Sequence, residues 1–226
     1  MDEPDLLVTR RDAVITLTLD RPARRNALSV ALRDAISDAI DAAAADPSLK
    51  AVVITGNGPV FSAGFDLGEF AQAAHDPAFA ERLWASSDRY HRTVLTCPLP
   101  TIAAVNGPAI AGGFDLAVLC DLRIAATTAR FAHPERSFGD VVYGPLHDLV
   151  GGAVARELTI GGREVDAAEA LRLRLVNEVV EPGDLPAATA AWAERVCVAS
   201  REVLVRVKAK ALARARFASD ARTLEL

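Results

Sequence analysis

Thr101-Ile102-Ala103-Ala104-Val105-Asn106-Gly107-Pro108-Ala109-Ile110-Ala111-Gly112-Gly113-Phe114-Asp115-Leu116 is the stretch whose reading decides the fold. Its first five residues are a short, continuous apolar run, as expected of a strand covered on both faces. Asn106-Gly107-Pro108 turns the chain. Gly112-Gly113 then opens a helix that carries Phe114, Asp115 and Leu116.

An earlier segment has the same build. Residues 51–55 form another buried apolar strand, Gly56-Asn57-Gly58-Pro59 turns the chain, and Phe61-Ser62-Ala63-Gly64-Phe65-Asp66-Leu67 leads into a helix. Further upstream, residues 6–10 and 14–19 read as two strands joined by a tight turn at Arg11-Asp12. In the second of them Ile15, Leu17 and Leu19 alternate with Thr16 and Thr18, the period of a half-buried strand. Ser29 is the expected N-cap of a helix with Leu32, Ala35, Ile36, Ala39, Ile40 and Ala43 on one face, ended by Asp46-Pro47. A helix over residues 79–95 places Phe79, Leu83, Tyr90 and Val94 on one side, and Pro98 and Pro100 stop it.

Downstream, residues 122–125 read as a strand. Beyond Gly144 the pattern is mainly helical, apart from a strand at 176–180. Pro182-Gly183 leads into a helical piece over residues 185–217. Strands alternating with helices predict an α/β core with crossover connections. The expected division is a core over residues 1–183 and a C-terminal helical region over 184–226.

Composition narrows the function. The chain has 226 residues, of which 51% are hydrophobic, enough to bury a substantial core. A net charge of −5 argues against broad nucleic-acid binding, which needs a clustered basic surface. The apolar runs fall far below the ~20 residues of a membrane span. The acidic start Met1-Asp2-Glu3-Pro4-Asp5 is unlike a targeting segment. Cys97, Cys120 and Cys197 lack metal-ligand or disulfide spacing and read as structural thiols in a reducing cytosol.

Both glycine segments follow a buried strand and open a helix. Glycine admits unusual backbone angles and close approach of a ligand. A helix N-terminus supplies free N–H donors and partial positive charge. Two such ends facing each other can grip one oxygen that gains negative charge, which is an oxyanion hole. Glycine-rich turns of this kind also serve packing alone. Neither segment is Gly-x-Gly-x-x-Gly or a P-loop, so nucleotide binding is poorly supported.

In order along the chain stand Asp20-Arg21-Pro22, Asn26-Ala27-Leu28, Val53-Ile54-Thr55-Gly56, the Phe61–Leu67 segment, Asn106-Gly107 with Ala111-Gly112-Gly113-Phe114-Asp115-Leu116 and Cys120-Asp121, and Phe131-Ala132-His133-Pro134-Glu135. This series resembles the enoyl-CoA hydratase/isomerase (crotonase) family across residues 5–183. The resemblance implies a spiral of ββα units with a helical C-terminal piece, assembled as a trimer or a dimer of trimers. It implies an acyl-CoA thioester as substrate partner, with coenzyme A entering only as part of that substrate, and cytoplasmic action. Neither a metal nor a redox cofactor is implied, because enolate stabilisation by N–H donors needs neither.

Carried over residue by residue, the resemblance gives Phe65 and Gly112 as the two oxyanion donors. Asp115 takes the place of the first catalytic carboxylate and Glu135 that of the second. The CoA pocket is expected to pass Arg24, Ala27, Ala63, Gly64, Asp66, Leu67 and Gly113. Hydration needs water activated at the β carbon and a proton delivered at the α carbon, and two carboxyl groups can do both. Asp115 is one methylene shorter than the family's usual glutamate. Phe65 replaces a small residue and is expected to reshape the acyl pocket, as is Val142-Tyr143-Gly144-Pro145-Leu146-His147. The helical region after residue 184 is short for the family.

His133 reads as an ordinary loop residue. Asp140 is a candidate third acid, more simply a solvated loop residue. The last helix carries Arg201, Arg206, Lys208, Lys210, Arg214 and Arg216, expected as a solvated face or as contacts to CoA phosphates. The leading function is hydration of a 2-enoyl-CoA. Isomerisation, decarboxylation or hydrolysis at the same oxyanion hole is the alternative, as is an acyl-CoA-binding protein without turnover.

Overall fold

The computed structural model describes residues 4–137, 139–215 and 222–226. The alternation over Val14–Leu19 makes strand β2, which pairs antiparallel with β1, Leu6–Arg11. Asp12 turns the hairpin with φ 53°, so Arg11 stays in the strand, one residue beyond the predicted end. The apolar runs become β3, Ala51–Gly56, and β4, Thr101–Val105, added in parallel. β6, Leu122–Ala126, and β9, Glu178–Val180, complete a sheet of order β1-β2-β3-β4-β6-β9. β9 starts two residues later than the predicted 176, because Val176 is buried in the core ahead of the strand.

A smaller layer runs alongside. β5, Ala109–Ile110, pairs with β7, Arg130–Ala132, which pairs with β8, Val165–Asp166, a strand the helical reading beyond Gly144 did not anticipate. Single bridges from Ser62 to Ala109 and from Leu28 to Phe65 extend this layer. Each turn of the chain therefore gives a strand to the larger sheet, a few residues to the smaller layer, and then a helix. This is the expected spiral of ββα units.

Helix α1, Val30–Ala45, begins where the Ser29 hydroxyl accepts the Leu32 N–H at 3.2 Å, and it buries Leu32, Ile36, Ile40 and Ala43. Its apolar face meets Leu83, Tyr90 and Val94 of α3, Pro77–Thr96, which follows the short α2, Leu67–Ala73. Helix α4, Gly112–Leu119, is buried along its whole length. An all-round apolar helix belongs in an interior, and α4 places both of its ends among polar groups. α5, Gly144–Arg156, bends at Gly151 and is followed by a π turn, Glu157–Gly161, and by α6, Ala167–Arg172.

The C-terminal piece is two helices, not one. α7, Leu185–Cys197, covers the far face of the larger sheet with Leu185 and Ala193 against Val53, Ile102 and Ile124. α8, Arg201–Ala215, starts afresh because Ser200 accepts the Val203 N–H at 3.4 Å. Lys50 Nζ takes the free carbonyls of Cys197 and Ala199 at 2.9 and 3.0 Å, and Arg201 ties the restart to Leu49 and Ala44. The predicted ends of this piece at Arg216 and Phe217 lie outside the described residues.

Candidate active site

The smaller layer brings the two glycine segments together. Ser62 accepts the Ile110 N–H at 2.9 Å, Leu28 donates to the Gly64 carbonyl at 2.8 Å, and Ala111 donates to Ala132 at 2.9 Å. Asn26, fully buried, fixes the neighbouring turn. Its amide donates to Asn57 and Val60 at 2.9 and 2.8 Å and its oxygen accepts the Arg21 N–H at 2.9 Å.

The approach is close, and at Gly64 glycine is required. Gly64 has φ +88°, and a Cβ there would sit 2.7 Å from the Ala111 Cβ and 3.0 Å from the Gly112 nitrogen. A Cβ on Gly112 would lie 2.8 Å from Phe65 Cδ1 and 3.6 Å from the Phe65 nitrogen. The Phe65 and Gly112 N–H groups are thus neighbours. Neither has an acceptor among the described residues. Between the two segments Ala111 holds φ 53° and ψ −130°, a strained conformation for alanine of the kind that collects at functional sites.

Below the second donor stands a buried polar cluster. Asp115 lies in the first turn of α4, and Glu135 lies in a 3₁₀ turn, Pro134–Ser137, just after β7. Between them is His133, which corrects the loop reading. Its ring is buried, stacks on Phe114 with centroids 4.5 Å apart, and puts Nδ1 2.9 Å from Glu135 Oε1 and 3.7 Å from Asp115 Oδ1. The sequence signal was the strand period: His133 follows buried Phe131 by two residues and so faces inward with it. One ligating atom from each of the three residues lies within 4.8 Å of the others. The His133 hydrogen bond to Glu135 occupies the middle of that group.

Burial pushes the Asp115 carboxyl up to about 7; the His133 charge opposes this, Glu135 adds to it, and the Val142 N–H opposes it. Burial alone would lower His133, but the Glu135 hydrogen bond and the charges of both carboxylates outweigh it and leave the imidazole raised. Asp115 Oδ1, His133 Nε2 and Glu135 Oε2 find no hydrogen-bond partner among the described residues. Buried polar atoms without partners are uncommon and costly, which singles this cluster out.

Arg33 was also missed. It lies on the buried stripe of α1 with Ile36 and Ile40, is fully buried, and holds its guanidinium 4.3 Å from the centre of the Phe65 ring. It donates to the Leu28 and Leu83 carbonyls at 2.7 and 3.3 Å. A charged residue on an apolar helical face was the readable sign of it.

The remaining predicted residues divide between the glycine approach and the surface. Ala63 and Gly64 belong to the glycine approach, and Gly113 packs against Ser62. Arg24 is exposed, Ala27 is partly buried, and Leu67 is 70% exposed beside the Phe65 backbone. Asp66 has local duties: it caps α2 through the Gly68 N–H at 3.0 Å and pairs with Arg21 at 3.3 Å. Asp140 is exposed. Lys208 corrects the solvated-face reading of α8, since it is buried and donates to Leu99 and Asp121, whereas Arg206, Lys210 and Arg214 are exposed. A cavity of about 540 Å³ lies between α7 and β1–β3 and touches none of the predicted site residues.

A spiral of strand, strand and helix whose inner layer stacks two glycine turns is the crotonase fold. The sequence model of the enoyl-CoA hydratase/isomerase family matches residues 9–226, and the chain belongs to that family of enzymes. It is 41% identical over 188 residues to a putative enoyl-CoA hydratase of Thermus thermophilus, covering 81% of this chain and 74% of that protein. It is 39% identical over 189 residues to the 2,3-dehydroadipyl-CoA hydratase of Escherichia coli, covering 80% and 71%. A solved enoyl-CoA hydratase/carnithine racemase from Magnetospirillum magneticum superposes with a TM-score of 0.86 at 32% identity, over 94% of this chain and 81% of that one. Among the described residues no helix is long and apolar enough to cross a membrane.

Proposed function

We propose that this enzyme adds water across the double bond of a 2-enoyl-CoA thioester. The observation that carries the reading is the meeting of two unpartnered N–H donors, on Phe65 and Gly112, with the buried Asp115 carboxyl in the first turn of α4 and the half-buried Glu135 carboxyl after β7. The donors hold the thioester oxygen. Glu135, hydrogen-bonded to His133 Nδ1, takes a proton from water as the water oxygen bonds to the β carbon. The π electrons move onto the thioester oxygen, where N–H donors are worth most. Asp115, whose carboxyl burial pushes up to about 7, delivers its proton to the α carbon and releases a 3-hydroxyacyl-CoA.

Arg24 suits a CoA phosphate, and Leu67 with Ala27, Ala63, Gly64, Asp66 and Gly113 suits the thioester arm. The chemistry draws on no metal or redox cofactor. The E. coli relative's name suggests a medium-length acyl group as a first substrate to try. Exposed Val203 and Val207 on α8 fit self-association as a trimer or a dimer of trimers in the cytoplasm. Isomerisation, decarboxylation or hydrolysis would need one carboxyl group, and the presence of two favours hydration.

The test is loss of the conjugated absorbance of crotonyl-CoA and longer 2-enoyl-CoA thioesters. The expected result is turnover that Glu135→Gln and Asp115→Asn each reduce by about 10²–10⁴-fold with thioester binding retained. Binding without turnover across the panel rejects hydration.

A further inference from the structure

The reaction above leaves the two carboxyl groups exchanged. After one turnover Glu135 holds the proton taken from water, and Asp115 has given its own to the α carbon. A second turnover requires the reverse distribution. Both groups are largely closed to solvent, with side-chain exposures of 10% for Asp115 and 15% for Glu135. One titratable side chain touches both. His133 Nδ1 lies 2.9 Å from Glu135 Oε1 and 3.7 Å from Asp115 Oδ1, on a ring that is itself fully buried.

We propose that His133 returns the proton from Glu135 to Asp115 between turnovers. This rests on the hydratase reading. The balance is simple: the imidazolium gives its Nδ1 proton to the Asp115 carboxylate, and the freed Nδ1 lone pair takes the proton of the Glu135 carboxylic acid. The imidazolium is regenerated, Glu135 is ionised, Asp115 is protonated, and no co-reactant is consumed. The stack on Phe114 fixes the ring plane, so a small tilt about the hydrogen bond is the motion the transfer needs. The free Asp115 Oδ1 is the waiting acceptor. A histidine serving only to orient Glu135 would not need a second carboxylate so close to the same nitrogen.

Two substitutions separate relay from orientation. His133→Phe keeps the stack and removes the proton. His133→Asn keeps a donor near the Nδ1 position, can still orient Glu135, and cannot carry a proton at neutral pH. In stopped-flow absorbance with substrate in excess, both variants are expected to complete one fast turnover per site and then slow by about 10²–10⁴-fold, the scale of a lost proton-transfer group. Added imidazole buffer is expected to restore the slow phase and leave the first turnover unchanged. The unmodified chain should run without a burst.

A first turnover slowed as much as the steady rate, with no buffer rescue, overturns the relay and leaves His133 a positioning residue. A full steady rate in His133→Asn overturns it as well. If the unmodified chain binds 2-enoyl-CoA but never hydrates it, the hydratase reading itself falls and takes the relay with it. Circular dichroism of both variants keeps a misfolded protein from being counted as either result.

Discussion

The two ends of helix α4 treat buried polar groups in opposite ways. At the C-terminal end the charged groups are partnered. Arg123 is buried and donates to the carbonyls of Ala117, Cys120, Asp121 and Leu175 at 3.2, 2.5, 3.1 and 2.7 Å. Burial pushes its pKa down to about 10, so it stays a cation at neutral pH, where the helix dipole favours one. Asp121 accepts from Thr101 N, Thr101 Oγ1 and Lys208 Nζ at 2.7, 3.0 and 2.7 Å. At the N-terminal end Asp115, His133 and Glu135 each keep an unpartnered atom, and Ala111 is strained. Satisfied polarity holds the helix in place. The unsatisfied end is energetically poor alone and is suited to a ligand that completes it.

The largest effect is expected at the N-terminal end, and on rate alone. A methyl group on Gly112 meets the edge of the Phe65 ring and must push it, which moves one of the two proposed N–H donors relative to the other. Gly112→Ala is expected to lower kcat about 10²–10³-fold, about 3–4 kcal/mol of transition-state stabilisation. Gly112 does not need a positive φ, and alanine favours a helix, so the urea midpoint should barely move. A large stability loss would mean that this end is structural after all.

Next comes the partnered end, on stability alone. Arg123→Met strands the carbonyls that the guanidinium holds, at a cost of about 3 kcal/mol. The check is a lower urea midpoint at unchanged slope, since the slope follows the surface exposed on unfolding. Activity per folded molecule should be preserved.

The contrast was half legible in the amino-acid sequence. The spiral was readable because buried parallel strands are unbroken apolar runs and because glycine marks each place where the inner layer closes up. Asp115 and Glu135 were readable through motif order. His133 and Arg33 were not, because each is recognised by which way a side chain faces. His133 needed the register of the short β7 carried past its end, and Arg33 needed a charge accepted on the apolar stripe of α1. Lys208 was hidden for the converse reason: five other basic residues in that segment suggested a uniform solvated face. The restart at Ser200 was lost inside one long helical pattern, because the clamp that enforces it comes from Lys50, far away in sequence.

The third effect reverses sign between the ends. The folded Asp115 carboxyl titrates near 7 against an ordinary 3.8. Between those values the unfolded chain ionises and the folded one resists, so Asp115 costs stability as pH rises, in full above about 7. Asparagine carries no such cost. Asp115→Asn is expected to be more stable than the unmodified chain by about 1–3 kcal/mol at pH 8, with the margin closing toward pH 4, while activity is lost. Denaturation at pH 4, 6 and 8 reads this directly, and a margin that did not grow with pH would show that burial leaves Asp115 unstrained.

The smallest effect tests whether partnering at the C-terminal end is redundant. Lys208 ties α8 to that end through Leu99 and Asp121 at 3.0 and 2.7 Å. Asp121 keeps both Thr101 donors without it, and its side chain is 34% exposed. Lys208→Met therefore strands one carbonyl rather than a buried charge, and methionine refills most of the volume, so a loss of about 1–2 kcal/mol is expected. Arg123 has no such substitute among its neighbours. A loss from Lys208→Met as large as that from Arg123→Met would mean that α8, rather than the guanidinium, fixes this end of α4. It would also mean that the orientation of Asp115, one and a half turns away, depends on the C-terminal helices.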